Sequence, residues 1–345
     1  MDHVPRKSSD LVYVSDSEPG IRRERRGRGF CYRMPDASLV KDRKHIKRIR
    51  ALAIPPAYSN VWICMDARGH LQATGRDSCG RKQYLYHPNW QAYRSDRKFD
   101  QLVEFAKAIP KIRRMVRRDI SAEAETERTV LAALVFLLDE TALRVGNRAY
   151  AEQNRTYGAT TLLKRHLRIV DDTIELQYAA KGGKRVRHRL RHPRLQRILE
   201  KIADLPGRQL FKWQDDVGAI HVIDSGTLNA YLCEIGGSCI TAKTFRTWIG
   251  SLEAFKEAWD AIKSGTVPTT TQLATAAAAK LHNTPSVCKA SYIHPSVLAL
   301  AEQPNSRPLA SLATVGDRPR GLRMDEKRLM AYLERCSPIA GDRSR

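Results

Sequence analysis

Apolar positions along this chain follow two periods, and the change between them falls near residue 100. From Gly29 to Val40 the segments GFCYRM, PDAS and LV read as strand, turn and strand. VWICMD at 61–66, the turn ARGH and LQATGRD at 71–77 repeat the pattern, and QYLYH at 83–87 adds a further short strand. These elements predict a small β-rich N-terminal domain over residues 20–97, with one helix around 41–53. Residues 1–29 are polar, lack apolar periodicity and end in the basic run IRRERRGRG. They therefore read as a mobile arm, basic run included, of which residues 1–19 form a flexible basic arm outside the domain, with phosphate contact as the alternative role.

Beyond Asp100 the period becomes helical. A helix is predicted over 121–143, starting at Ser121, carrying Glu123, Glu125 and Glu127 in its first turns and continuing into the apolar run VLAALVFLL. Strand alternation returns between Leu167 and Leu190, in LRIV, IELQY and RVRHRL, and predicts three antiparallel strands whose second turn holds Lys181, Gly182, Gly183 and Lys184. Helices follow at 225–235 and 242–263, the latter with Phe245, Ile249, Leu252, Trp259 and Ile262 on one stripe. An alanine-rich helix covers 271–282, and Thr284-Pro285 reads as the N-cap and first residue of another that carries Tyr292. Residues 98–302 thus form a larger, mainly helical domain, and residues 303–345 a Pro- and Gly-punctuated linker with an amphipathic tail helix. The fold class is α+β.

Composition narrows the partner. Three hundred and forty-five residues suffice for two cores, and a net charge of +23 makes a polyanion the default ligand. No apolar run is long enough for a membrane span or a signal peptide, so a cytoplasmic, nucleoid-associated protein is expected. Seven cysteines without a CxxC read as buried free thiols. Neither an HExxH nor a DxDxD cluster is present, so no metal is expected. In GRDSCGRK, at 75–82, the second glycine is followed by Arg81, and no Ser or Thr follows Lys82, so no nucleotide cofactor is expected either.

Taken singly, the candidate residues are ordinary. Arg144, in ALRVGN at the end of the most apolar helix, needs an anion, and a structural carboxylate is the usual one. Lys243 and Arg246 in TAKTFRTW lie about 60° apart on one helix face and would repel unless both face solvent or share an anion. Lys181 on a hairpin tip suits solubility, and Tyr292 is one of twelve tyrosines.

Their order is informative. ALRVGN, AAKGGK, TAKTFRTW and LHNTPSVCKASYIHP, in that sequence, resemble the type IB DNA topoisomerases, in their compact bacterial and poxvirus-like branch. IRALAIPPAY, VWIC and GHLQATGRDSCGRKQYLYHPNW are similar to the first domain of that family, so the resemblance spans residues 18–302. It implies a tyrosine-recombinase-like catalytic domain, with Tyr292 as nucleophile assisted by Arg144, Lys181, Arg246 and Asn283. Such chemistry asks for these groups: two guanidiniums to clamp the charged phosphorane-like state, and a proton donor for the departing 5′-oxygen. One phosphate ester replaces another, so resealing needs neither ATP nor metal. Two positions depart from the family, His282 and Ala180, where glycines are usual.

The resemblance further implies DNA contact by Arg81, Lys82, Gln83, Tyr84 and Tyr86, the two tyrosines sharing one strand face, and by Tyr150 and Lys243. The expected activity is relaxation of duplex DNA through a 3′-phosphotyrosyl bond, strand rotation and religation, for which a monomer suffices. A tyrosine site-specific recombinase shares the Arg, Lys, Arg, Tyr order, but it carries His where Lys243 stands and a helical first domain. A noncatalytic basic DNA-binding protein is the alternative of another class.

Overall fold

The computed structural model describes residues 11–78, 80–122, 126–237, 240–302 and 320–336, with backbone alone at 92, 94–97, 149 and 150. The chain divides into two compact units, one up to Lys98 and one from Phe99.

The first unit is built on five antiparallel strands, β1 (Ile21–Arg26), β2 (Gly29–Arg33), β3 (Ser59–Ile63), β4 (Leu71–Arg76) and β5 (Lys82–Tyr86), in spatial order β2-β1-β3-β4-β5. Helix α1 (Arg43–Ala51), capped by Asp42 accepting from Lys44 N at 2.8 Å, contributes buried Ile49. Ile49 packs with Ile21, Val61, Ile63 and Ala73. The basic run expected as an arm is instead β1, second from the edge. Its arginines are put to structural use: Arg23 donates to the carbonyls of Ile54 (3.2 Å), Pro55 (3.1 Å) and Tyr58 (2.5 Å), which a loop leaves without ladder partners. Residues 11–19 also lie against the sheet rather than apart from it. Val12 bridges to Gly69, Tyr13 stacks on His70 at 4.1 Å, and Glu18 O accepts from Trp62 Nε1 at 2.9 Å.

The division between units falls inside α2 (Pro88–Ile120), which starts twelve residues before the helical period was expected and contains Pro110. Its buried side chains, Leu102, Phe105, Ile109, Ile112, Val116 and Ile120, recur at three- and four-residue steps and face α3 (Glu127–Thr141) in one core. Ten of the fifteen α3 residues are buried, so it is the central helix of this unit. It starts at N-cap Thr126, not Ser121, and stops at Ala142 in the left-handed region (φ 54°), which puts Arg144 outside the helix. Glu123 and Glu125 lie outside the described residues.

After α4 (Arg148–Asn154), a three-stranded antiparallel sheet forms from β6 (Leu167–Val170), β7 (Thr173–Ala179) and β8 (Arg185–Leu190). α5 (Pro193–Asp204) and a small hairpin, β9 (Lys212–Gln214) and β10 (Ile220–Val222), lead into α6 (Ser225–Gly236). α7 (Ala242–Lys263), α8 (Thr270–Leu281), α9 (Pro285–Ser291) and α10 (Pro295–Ala299) follow. The expected stripe on α7 holds Phe245, Ile249 and Leu252 buried, with Trp259 and Ile262 half-buried. The tail helix is α11 (Met324–Cys336), which packs Leu329, Met330 and Leu333 into the same core. Most of the preceding linker, 303–319, lies outside the described residues.

The thiols correct one expectation. Of the five described cysteines, all free, only Cys64 and Cys288 are buried; Cys31 is half-buried and Cys233 and Cys336 are exposed.

Candidate active site

Three segments converge in the second unit. The first follows α3, whose left-handed cap turns the chain so that Arg144 leaves the helix axis. Its carbonyl accepts from Ala159 N and the next one, of Val145, from Thr160 N, both at 2.7 Å. Gly158 permits this clasp, because a Cβ there would lie 2.5 Å from Arg144 O. Arg144 is half-buried and makes no ion pair with any described residue.

The second segment is α7, which carries Arg246 at only 4% exposure. No carboxylate of the described residues meets it. Nη1 donates to Ala142 O and Nη2 to Leu281 O at 3.1 Å, carbonyls left over at the C-terminal ends of α3 and α8, where the helix dipoles also favour a cation. Nε has no partner among the described residues. Burial, then the nearby Arg144, pull its pKa down, and the Tyr292 phenol beside it partly offsets them. Two guanidiniums side by side without a carboxylate make a place that an anion would stabilise.

The third segment brings Tyr292. Thr284 Oγ1 caps α9 by accepting from Val287 N at 3.4 Å, Pro285 occupies the first turn, and Tyr292 closes the helix with its N–H on Cys288 O at 2.9 Å. Its half-buried ring lies 5.1 Å from the Arg246 guanidinium carbon.

Arg144 and Arg246 line a small cavity with Tyr178, Ala180, His188 and His282, among others. His282 closes α8 in the left-handed region (φ 48°), its ring 5.2 Å from that of His188. Burial holds both imidazoles below their usual range, His188 down to about 4, with Arg246 and Arg144 adding to the effect on His282 and Arg246 to that on His188. Burial pushes the Tyr178 phenol up. Asn283 is half-buried and does not line this cavity: its Oδ1 accepts from Thr284 N at 3.1 Å, while Nδ2 donates to no described residue.

Lys181 stands exposed on the β7–β8 turn, where Gly182 (φ 81°) and Gly183 (φ 74°) take conformations that other residues adopt only with strain. It contacts neither arginine, but Lys184 of the same turn donates to Asn283 O at 2.9 Å, tying the hairpin to the α8–α9 junction. Lys243 and Arg246 part ways: the lysine is exposed and the arginine buried. The backbone of Tyr150 lies in α4, and its side chain is outside the described residues.

In the first unit, Tyr84 and Tyr86 are both exposed, with rings 6.1 Å apart and nearly parallel. Their neighbours are occupied by carboxylates. Arg81 Nε and Gln83 Nε2 both reach Asp77 (2.7 and 2.9 Å), and Lys82 pairs with Asp16 at 2.5 Å.

Among the described residues no three His, Cys, Asp or Glu side chains gather as a metal set. A larger cavity of about 310 Å³, under Arg113, Phe136 and Leu322, shares no lining residue with the Arg144–Arg246 cavity. Sequence reasoning passed over Tyr178 and His188. Their signal was the period-two alternation that puts Leu176 and Tyr178 on one face of β7 and Val186 and His188 on the matching face of β8.

Comparisons with known proteins place both units in one family. A model described as the catalytic core of eukaryotic DNA topoisomerase I matches residues 87–303, and one described as the N-terminal domain of bacterial DNA topoisomerase IB matches residues 29–77. The chain is 34% identical over 237 residues to DNA topoisomerase 1B of Acanthamoeba polyphaga mimivirus, covering 68% of this chain and 70% of that one. It is 28% identical over 140 residues to DNA topoisomerase 1B of vaccinia virus (strain Copenhagen), covering 40% and 43%. Over 91 residues it is 33% identical to DNA topoisomerase 1 of Mycosarcoma maydis, covering 26% and 9%.

Proposed function

Because this chain belongs to the type IB DNA topoisomerases, isomerases acting on DNA, we propose that it relaxes supercoiled duplex by transient cleavage of one strand at Tyr292. The observation that carries the reading is the pair Arg144 and Arg246 beside the Tyr292 ring, with no carboxylate on either among the described residues.

In this mechanism a backbone phosphate enters between the two guanidiniums, whose donors neutralise its nonbridging oxygens as charge builds. The Tyr292 oxygen attacks phosphorus and gives up its proton to solvent water. The bond from phosphorus to the tyrosine oxygen forms, the bond to the 5′-oxygen breaks, and the 5′-oxygen takes a proton. Lys181 is the proposed donor of that proton, brought into the groove on its two-glycine turn. Asn283 adds a neutral donor through Nδ2, since an amide does not exchange protons near neutral pH. The free end rotates, and the 5′-hydroxyl then attacks the phosphotyrosine to restore both starting groups. Each step exchanges one ester for another, so the cycle is proposed to run without nucleotide or metal and within a monomer. Tyr84 and Tyr86, with Arg81, Lys82 and Gln83, are proposed to meet the duplex, and Asp77 and Asp16 would then yield their partners to it.

Plasmid relaxation in EDTA without nucleotide tests this. The wild type should relax DNA and leave a protein–DNA adduct when denatured mid-reaction. Tyr292→Phe should do neither while still binding duplex, and adducts persisting in that variant would move the nucleophile to another tyrosine.

A further inference from the structure

Helix α7 supplies more than Arg246. Four residues on, about 6 Å along the same face, stands Gly250, followed by Ser251. Both meet the backbone of Tyr292. Ser251 is fully buried, and its Oγ donates to Tyr292 O at 3.2 Å while accepting from His294 N at 2.9 Å. One hydroxyl thus bridges the two peptide groups on either side of Ile293, where α9 has ended and α10 has not begun. The Tyr292 carbonyl has no partner within its own short helix, so Ser251 fills a vacancy the helix end creates. Gly250 makes the approach possible. A Cβ at that position would lie 2.8 Å from Tyr292 O and 3.0 Å from both Tyr292 Cβ and Leu281 Cδ1.

We propose that Gly250 and Ser251 are the positioning residues of the nucleophile, referencing the Tyr292 backbone to the same rigid helix that holds Arg246. This rests on the reading that Tyr292 attacks. The physical reason for such a device is the steep dependence of an in-line displacement on geometry: a misplacement of about 1 Å can cost on the order of 100-fold. Tyr292 lies at a helix terminus, where its own backbone bonds hold it from one side only. A serine and a bare backbone on α7 hold it from the other, so the distance from Arg246 to the attacking oxygen depends on one helix and not on the loops around it.

The test uses the full-length protein carrying Ser251→Ala or Gly250→Ala, with single-turnover cleavage of a duplex whose departing strand diffuses away. The first substitution removes both hydrogen bonds; the second pushes the Tyr292 backbone off the helix. In each, the rate constant for adduct formation is expected to fall about 10- to 100-fold, with full amplitude and unchanged duplex affinity. Religation from preformed adduct should slow by the same factor, because the same oxygen is nucleophile in one direction and leaving group in the other. The rate constant reports the folded fraction whatever the amplitude, so a partly unfolded variant still answers. Wild-type rate constants in both variants, or a loss of amplitude alone, would overturn the positioning role. Adduct formation by Tyr292→Phe would instead overturn the reading beneath it.

Discussion

Arg113 on α2 and Arg246 on α7 are both largely buried helical arginines of the same unit, and their surroundings are opposite. Arg113 meets two carboxylates: Nε and Nη2 reach Asp139 at 2.7 and 3.1 Å, and Nη1 and Nη2 reach Glu326 at 2.8 and 2.7 Å. Burial opposes its charge, but these bonds reverse the balance and raise its pKa. Arg246 has carbonyls, a second arginine and the Tyr292 phenol beside it, and burial and Arg144 lower its pKa. One arginine fastens α11 to α2 and α3; the other is kept charged in a place that only an incoming anion completes. A buried cation with its carboxylates is architecture, and a buried cation without them is a site awaiting a ligand.

The sharpest break in that comparison is Arg113→Ala. It strands Asp139 and Glu326 in the core and should cost about 3–5 kcal/mol of stability, read from urea unfolding, while the cleavage rate constant of the folded fraction stays at the wild-type value. A rate loss as large as the stability loss would erase the distinction.

Arg246→Ala should show the reverse. Transition-state stabilisation should fall by about 2.7–4 kcal/mol, the range for losing one oxyanion donor, with less loss of stability than in Arg113→Ala. Inorganic phosphate sharpens the contrast: at about tenfold excess over its dissociation constant it should stabilise the wild type by roughly 1.4 kcal/mol. Arg113→Ala should keep that gain and Arg246→Ala should lose it; thermal melts with and without phosphate decide.

Acid should separate the two regions by where stability starts to fall. His188 is held at about 4 against 6.5 when unfolded, chiefly by burial, so the unfolded chain takes up its proton first. Stability is then full above about 6.5 and declines as pH drops toward 4, by at most about 1.4 kcal/mol per pH unit for this one proton. Glu326 acts in the same direction but in a lower window: despite burial, its bonds to Arg113 hold its pKa below 4.5, so its contribution is present above that value and is lost only below it. Melting temperature against pH should therefore have a shallower upper limb, and an unchanged lower one, in His188→Gln, the rest of the upper limb belonging to His166 and His294, which burial also holds at about 4.

Much of this arrangement was legible in the residues. Thr284-Pro285 announced α9, the alternation between 167 and 190 announced three strands, and the spacing of ALRVGN, TAKTFRTW and Tyr292 pointed to one site because their order matched a family. The failures have local causes. IRRERR carries a single apolar residue, Ile21, so nothing in its period shows a strand; β3 and the loop carbonyls that Arg23 satisfies make it one. The start of α3 was displaced from Thr126 to Ser121 because both are competent caps and only packing selects between them.

Periodicity and capping chemistry are properties of neighbours in the chain, and so the sequence alone determined the two regimes of secondary structure, the basic character and the candidate list. Whether a buried arginine is tied or untied depends on groups far along the chain. Arg113 finds its carboxylates 26 and 213 residues away, while Arg246 rests on carbonyls 104 and 35 residues away. Tyr292 is held by a serine 41 residues back that no local pattern connects to it. Those pairings exist only once α2, α3, α7, α8 and α11 share a core, because charge is compensated across space and not along the backbone.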